Sequence, residues 1–169
     1  MTAPGERDDS GAVLAPRRTT ALMGVLTCLA ALSPLAMAAD QAPPGVPALL
    51  VVADGVPQPL APGDGDVARG RALIVARESA NCVLCHAVPD PAVRFSGDVG
   101  PSLAGIGARM TVAQLRLRVA DYARVNPASV MPSYYRISGL DRVADRYAGK
   151  PVLSAPEVED VVAYLATLQ

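Results

Sequence analysis

The chain has 169 residues, with 15 basic and 16 acidic side chains, one histidine and a formal net charge of −1 at pH 7. That length suggests one domain, and the near-neutral balance excludes a partner held by bulk charge, such as nucleic acid or an anionic membrane surface. With no Trp and one Phe, the centre must be filled by aliphatic side chains or by something that is not protein.

Arg17 and Arg18 precede the apolar run ALMGVLTCLAALSPLAMA, which ends in small residues. A basic segment, an apolar segment and an Ala-x-Ala site are the parts of a cleavable secretory signal. Ala36 and Ala38 put the cut after Ala38, with Ala39 as second choice. The run is broken at Ser33-Pro34 and is short for a spanning helix, so no stable membrane anchor is expected after cleavage. Residues 1–38 are read as signal peptide, which predicts a periplasmic protein. Cleavage removes Cys28 and three residues of each charge sign.

Residues 39–63 form a Pro/Gly-rich arm in which ALLVV is a short strand candidate, kept from a sheet centre by its flanking prolines. The main domain is expected over 64–169. Asp66 caps a helix through DVARGRALIVARE. Gly70 lies inside that helix, where glycine costs up to about 1 kcal/mol against alanine, so another backbone is expected to approach it. Residues 87–110 read as loop, punctuated by Gly and Pro. Thr111 and Gln114 form a capping box for a helix to about Ala123. VNPASVMPSYYR is loop again. Ser154 and Glu157 cap a last helix whose apolar face is Val158, Val161, Val162, Leu165 and Leu168. The fold class is all-α: short helices and long ordered loops, and such loops usually need something to wrap around.

Cys82, Cys85 and His86 make CxxCH, holding the only histidine of the chain. On a helical turn, positions i, i+3 and i+4 share one face, so two thiols and an imidazole point the same way. That arrangement suits one covalently bound haem c, with Cys82 and Cys85 on its vinyl edges and His86 on the iron. A structural zinc site wants four ligands, and no further Cys or His follows the signal. A thioredoxin-like CxxC needs strands that are missing.

A single histidine forbids bis-histidine ligation, and methionine is the common alternative. Met110 and Met131 are the two left after cleavage. Met131 sits between Pro127 and Pro132, which stiffen its loop, and is the expected second axial ligand. With both axial positions filled, oxygen or substrate has no place on the iron. Arg109, Tyr134, Tyr135 and Arg136 are candidates to contact the haem propionates. Arg94 and Phe95 follow the haem motif, facing a partner or packing over the haem edge.

With these residues the chain resembles a class I cytochrome c. By that resemblance GPSLAGIGAR, residues 100–109, is the loop beneath the proximal histidine, and the Pro101 carbonyl accepts the imidazole proton. Gly70 and Tyr164 match the positions where the family's first and last helices cross. From about Pro59 to Gln169, PLAPGDGDVARGRALI, NCVLCH, GDVGPSLAGIGARMTVAQLR, NPASVMPSYYR and YAGKPVLSAPEVEDVVAYLATL are together similar to SoxX, the small monohaem subunit of the SoxAX cytochrome. The resemblance implies a SoxA-like partner and a complex that couples thiosulfate oxidatively to a cysteine of the carrier SoxYZ. Electrons then pass to a small soluble cytochrome. Sulfur transfer of this kind needs a reactive thiol. Both cysteines left here are consumed by haem, so the catalytic sulfur is expected in the partner and this chain relays electrons. The alternatives are a free-standing electron carrier, a haem subunit of another dehydrogenase, and a haem-based sensor.

Overall fold

The computed structural model describes residues 46–169; the expected signal peptide and the first residues of the arm lie outside them. Among the described residues there are four α-helices and no strand. They are α1 (Val67–Val75), α2 (Ile106–Arg109), α3 (Val112–Asp121) and α4 (Ala155–Thr167). Single 3₁₀ turns cover Cys82–Leu84, Tyr122–Arg124 and Asp145–Tyr147.

The predicted caps start the three longer helices. The Asp66 side chain accepts from the Arg69 backbone N–H. Thr111 with Gln114, and Ser154 with Glu157, form complete capping boxes. Each satisfies donors that the first helical turn leaves unpaired. α2 falls inside the stretch read as loop. It is a single turn entered through Gly105 in left-handed backbone, and Gly107 inside it hides the helical pattern. In place of the strand, ALLVV carries only an isolated antiparallel bridge between Val52 and Gly55.

α1 and α4 cross at Gly70. A Cβ built there would stand 1.9 Å from the Asp160 carbonyl oxygen, so only glycine permits the approach. α4 buries Val158, Val161, Val162, Tyr164 and Leu165 against Ile74, Leu115, Val119 and Leu153 in one core.

Charges also sit inside. Arg116 of α3, 4% exposed, forms a two-pronged pair with Glu159 of α4 at 2.7 and 2.8 Å. Arg116 also donates to the Val56 carbonyl, and Glu159 accepts the Leu60 N–H. Such a pair is tolerated in the interior because every charge meets a partner, and here two of the partners belong to the arm. Arg69 holds Asp160, which also accepts the Asp66 N–H. With the Asp54 carboxylate accepting from Gln114 and Arg118 of α3, the segment from Asp54 to Asp66 is strapped across α3 and α4.

A candidate haem cradle

Asn81, in left-handed backbone, leads into the Cys82–Leu84 turn. The backbone N–H groups of Cys85 and His86 both donate to the Cys82 carbonyl, which brings the two thiols and the imidazole together as the helical spacing requires. The thiols are not joined to each other. Burial pushes the Cys82 thiol up to about 11, away from the thiolate that redox or nucleophilic chemistry uses.

His86 Nδ1 lies 2.7 Å from the Pro101 carbonyl oxygen. A carbonyl only accepts, so Nδ1 carries the proton and Nε2 is left with a free lone pair for a metal. Gly100 makes room for the ring: a Cβ there would lie 2.3 Å from His86 Cε1. The Gly100 N–H donates to the Cys85 carbonyl and the Leu103 N–H to the Ala87 carbonyl, so the loop beneath the imidazole is held by main chain.

Cys82, His86, Pro101, Met110, Met131 and Tyr134 line one apolar cleft, closed by Ile74, Leu103, Ile106, Leu115, Val119, Leu153, Val161 and Leu165. A second opening shares Cys82, His86, Pro101, Met131 and Tyr134 and adds Cys85, Val99 and Val130. Tyr134 donates its hydroxyl to the Ala80 carbonyl at 2.7 Å, tying the Met131 loop to the start of the haem motif. Burial raises the Tyr134 hydroxyl well above the usual tyrosine range, so it is neutral.

The predicted site residues divide accordingly. Cys82, Cys85, His86, Pro101, Met131 and Tyr134 come together around this space. Arg109 instead donates to the Ala104 and Ser102 carbonyls. Tyr135 is buried beside a different cleft, next to Asp121 and Arg136. Phe95 is 80% exposed. Arg118 and Tyr122, not among the predicted site residues, do line the cleft. Their signal was available: Arg118 lies one helical turn beyond Leu115 and Tyr122 one turn beyond Arg118, on the face that looks at the cavity.

The residues fit a haem c. The walls are apolar, His86 offers a ring nitrogen, Met110 and Met131 each bring a thioether sulfur, and the two thiols stand beside them. A cradle of this kind defines a class I c-type cytochrome.

The structure is similar to the crystal structure of SoxXA from P. pantotrophus, with 35% identity and a TM-score of 0.66 over 71% of this chain and 93% of that one. More distant matches are ferric cytochrome c-550 from Paracoccus versutus (19% identity, TM-score 0.35, 62% of this chain and 98% of that one) and cytochrome c2 from Paracoccus denitrificans (19%, 0.34, 61% and 95%). No family model and no curated protein matches the chain. The chain belongs to the SoxX family of c-type cytochrome subunits.

Proposed function

We propose that this chain is the electron-relay subunit of a periplasmic SoxAX complex that couples thiosulfate to a cysteine of SoxYZ. The observation that carries the reading is the convergence of Cys82, His86 and Met131 on one apolar cleft in a chain 35% identical to a chain of SoxXA. One haem c is held covalently by Cys82 and Cys85, with His86 and Met131 as the iron ligands. The bound haem supplies a one-electron site. Pro101 orients the imidazole and keeps its proton on Nδ1. The apolar walls exclude water, and a thioether ligand favours the reduced state and a higher potential.

The division of labour follows from the cysteines. With signal cleavage after Ala38, only Cys82 and Cys85 remain, and both are committed to haem. The sulfur-transferring thiol therefore belongs to the SoxA partner, and electrons leave through this chain to a small soluble cytochrome. Among the described residues, no helix is long and apolar enough to cross a membrane.

The test is a tagged pull-down from the periplasm of cells grown on thiosulfate, with haem staining and mass spectrometry. Recovery of a second c-type cytochrome of SoxA type in equal amount is expected. Recovery of this chain alone at several salt concentrations would overturn the complex and leave a free carrier. Replacing Cys82 and Cys85 together by Ala is expected to abolish haem that survives denaturing electrophoresis.

A further inference from the structure

The segment that carries Met131 runs from the end of α3 to Arg136 and has no helix beyond its first turn, Tyr122–Arg124. Its local bonds span short stretches. Val125 and Asn126 N–H donate to the Tyr122 carbonyl and Ser129 N–H to the Asn126 carbonyl, while Met131 N–H donates to Ser129 Oγ and Ala128 N–H to Asn126 Oδ1. What joins its two ends is one buried carboxylate. Asp121, the last residue of α3, is 1% exposed. It accepts from the Ser133 hydroxyl on one oxygen. On the other it accepts from Arg136 Nε at 2.8 Å and from Arg124 Nε at 3.3 Å. Ser133 lies two residues after Met131, and Arg124 lies near the start of the loop. The clasp therefore closes the loop upon itself and upon α3, whose Leu115, Arg118 and Val119 form a wall of the cleft that Met131 lines. A backbone bond from Tyr135 N–H to the Ala120 carbonyl lies beside it. Val46 and Leu49 of the arm border the same cluster and pack against the core, which keeps water from competing for the carboxylate.

We infer that Asp121 is a positioning residue for the distal ligand, its clasp on Ser133, Arg136 and Arg124 setting where the Met131 sulfur stands in the cradle. The inference rests on the reading of Met131 as an iron ligand. A charge-assisted bond is roughly twice as strong as a neutral one, and in a buried site it is weakened little by solvent. Losing the charge at Asp121 loosens the loop without touching the proximal side, where main-chain bonds and the Pro101 carbonyl hold His86.

The experiment compares the haem-loaded full chain with Asp121→Asn, Ser133→Ala and Met131→Ala. The readouts are the near-infrared methionine-to-iron charge-transfer band of the oxidised protein and carbon monoxide association with the reduced protein. Haem content and thermal unfolding are measured alongside. Asp121→Asn is expected to weaken the band at temperatures where the protein is still folded and to speed carbon monoxide association several-fold. Ser133→Ala shifts both in the same direction by less. A purely structural role would lower the unfolding temperature and leave the band of the folded protein unchanged, and that result overturns the inference. If Asp121→Asn fails to take up haem, Ser133→Ala decides on the same two readouts. Met131→Ala separates the two readings. A band that survives Met131→Ala rejects Met131 as ligand. A band lost there but intact in the clasp variants rejects only the clasp.

Discussion

The two walls of the cradle are built from different bonds. The proximal wall, from Ala80 to Leu103, is held mostly by main chain. Gly97 donates to Val83, Gly100 to Cys85 and Leu103 to Ala87, and the imidazole itself is fixed by the Pro101 carbonyl. The distal wall, from Tyr122 to Arg136, is held mostly by side chains: the Asp121 clasp and the Tyr134 hydroxyl on Ala80. Main-chain bonds within a short segment tolerate many side-chain changes and fail when the backbone is obstructed. A side-chain clasp fails when a single functional group is removed. The wall carrying Cys82, Cys85 and His86 is thus robust to sequence, and the wall carrying Met131 is tunable through it.

The largest effect is expected from obstructing the proximal wall. Gly100→Ala places a methyl 2.3 Å from His86 Cε1, so the ring or the loop must move. Overpacking of this kind costs about 1–3 kcal/mol, which denaturant unfolding of the haem-loaded protein would register, together with a changed reduction potential. An unchanged unfolding midpoint would mean that this wall yields more easily than its main-chain bonds imply. A smaller effect belongs to the link between the walls. Tyr134→Phe leaves the Ala80 carbonyl without its donor, a loss of about 1–2 kcal/mol, and should reach the Met131 side through the loop.

The smallest effect is the acid response of two ion pairs, Arg71 with Asp90 of the proximal wall and Arg69 of α1 with Asp160 of α4. The Arg71 guanidinium holds the Asp90 carboxyl below its ordinary 3.8, and Arg69 does the same for Asp160. A folded-state value below the unfolded one stabilises the protein fully above the unfolded value, and the contribution is lost as pH falls through the folded value. Stability is therefore expected to be level above about pH 5 and to decline below about pH 4 on this account. Arg71→Gln should lower stability at neutral pH and flatten that decline. Urea unfolding across this range checks both, and a decline as steep as the parent's would remove Asp90 from the explanation.

Much of this was legible in the sequence because it is local. Asp66, Thr111 with Gln114, and Ser154 with Glu157 are caps defined within four residues, and each starts its helix where expected. CxxCH is equally local. Gly70 announced a close crossing by its cost, and the crossing is there. α2 was hidden because one helical turn holding Gly107 between Gly105 and Met110 has too few residues to show a period. The buried charges were hidden for a different reason. Arg116, Asp121, Glu159 and Asp160 occupy positions that a hydrophobic pattern assigns to solvent. Only their partners, from 12 to 94 residues distant in sequence for Ser133 on Asp121 and Asp66 on Asp160, make burial affordable. Arg109 and Arg118 differ by the same logic, since which arginine borders the cleft depends on helix phase and not on nearness to the motif.

The strap of the arm across α3 and α4 also has a temporal meaning. Leu60 and Asp66 precede the haem motif, yet Glu159 and Asp160, which receive them, lie 99 and 94 residues further along the chain. Contacts so distant in sequence close late. The interior therefore stays open until α4 docks, and the wall bearing Cys82 and Cys85 remains approachable during that interval. Once α4 docks, the arm and the last helix lock each other, and removing either residues 60–66 or α4 would release the other.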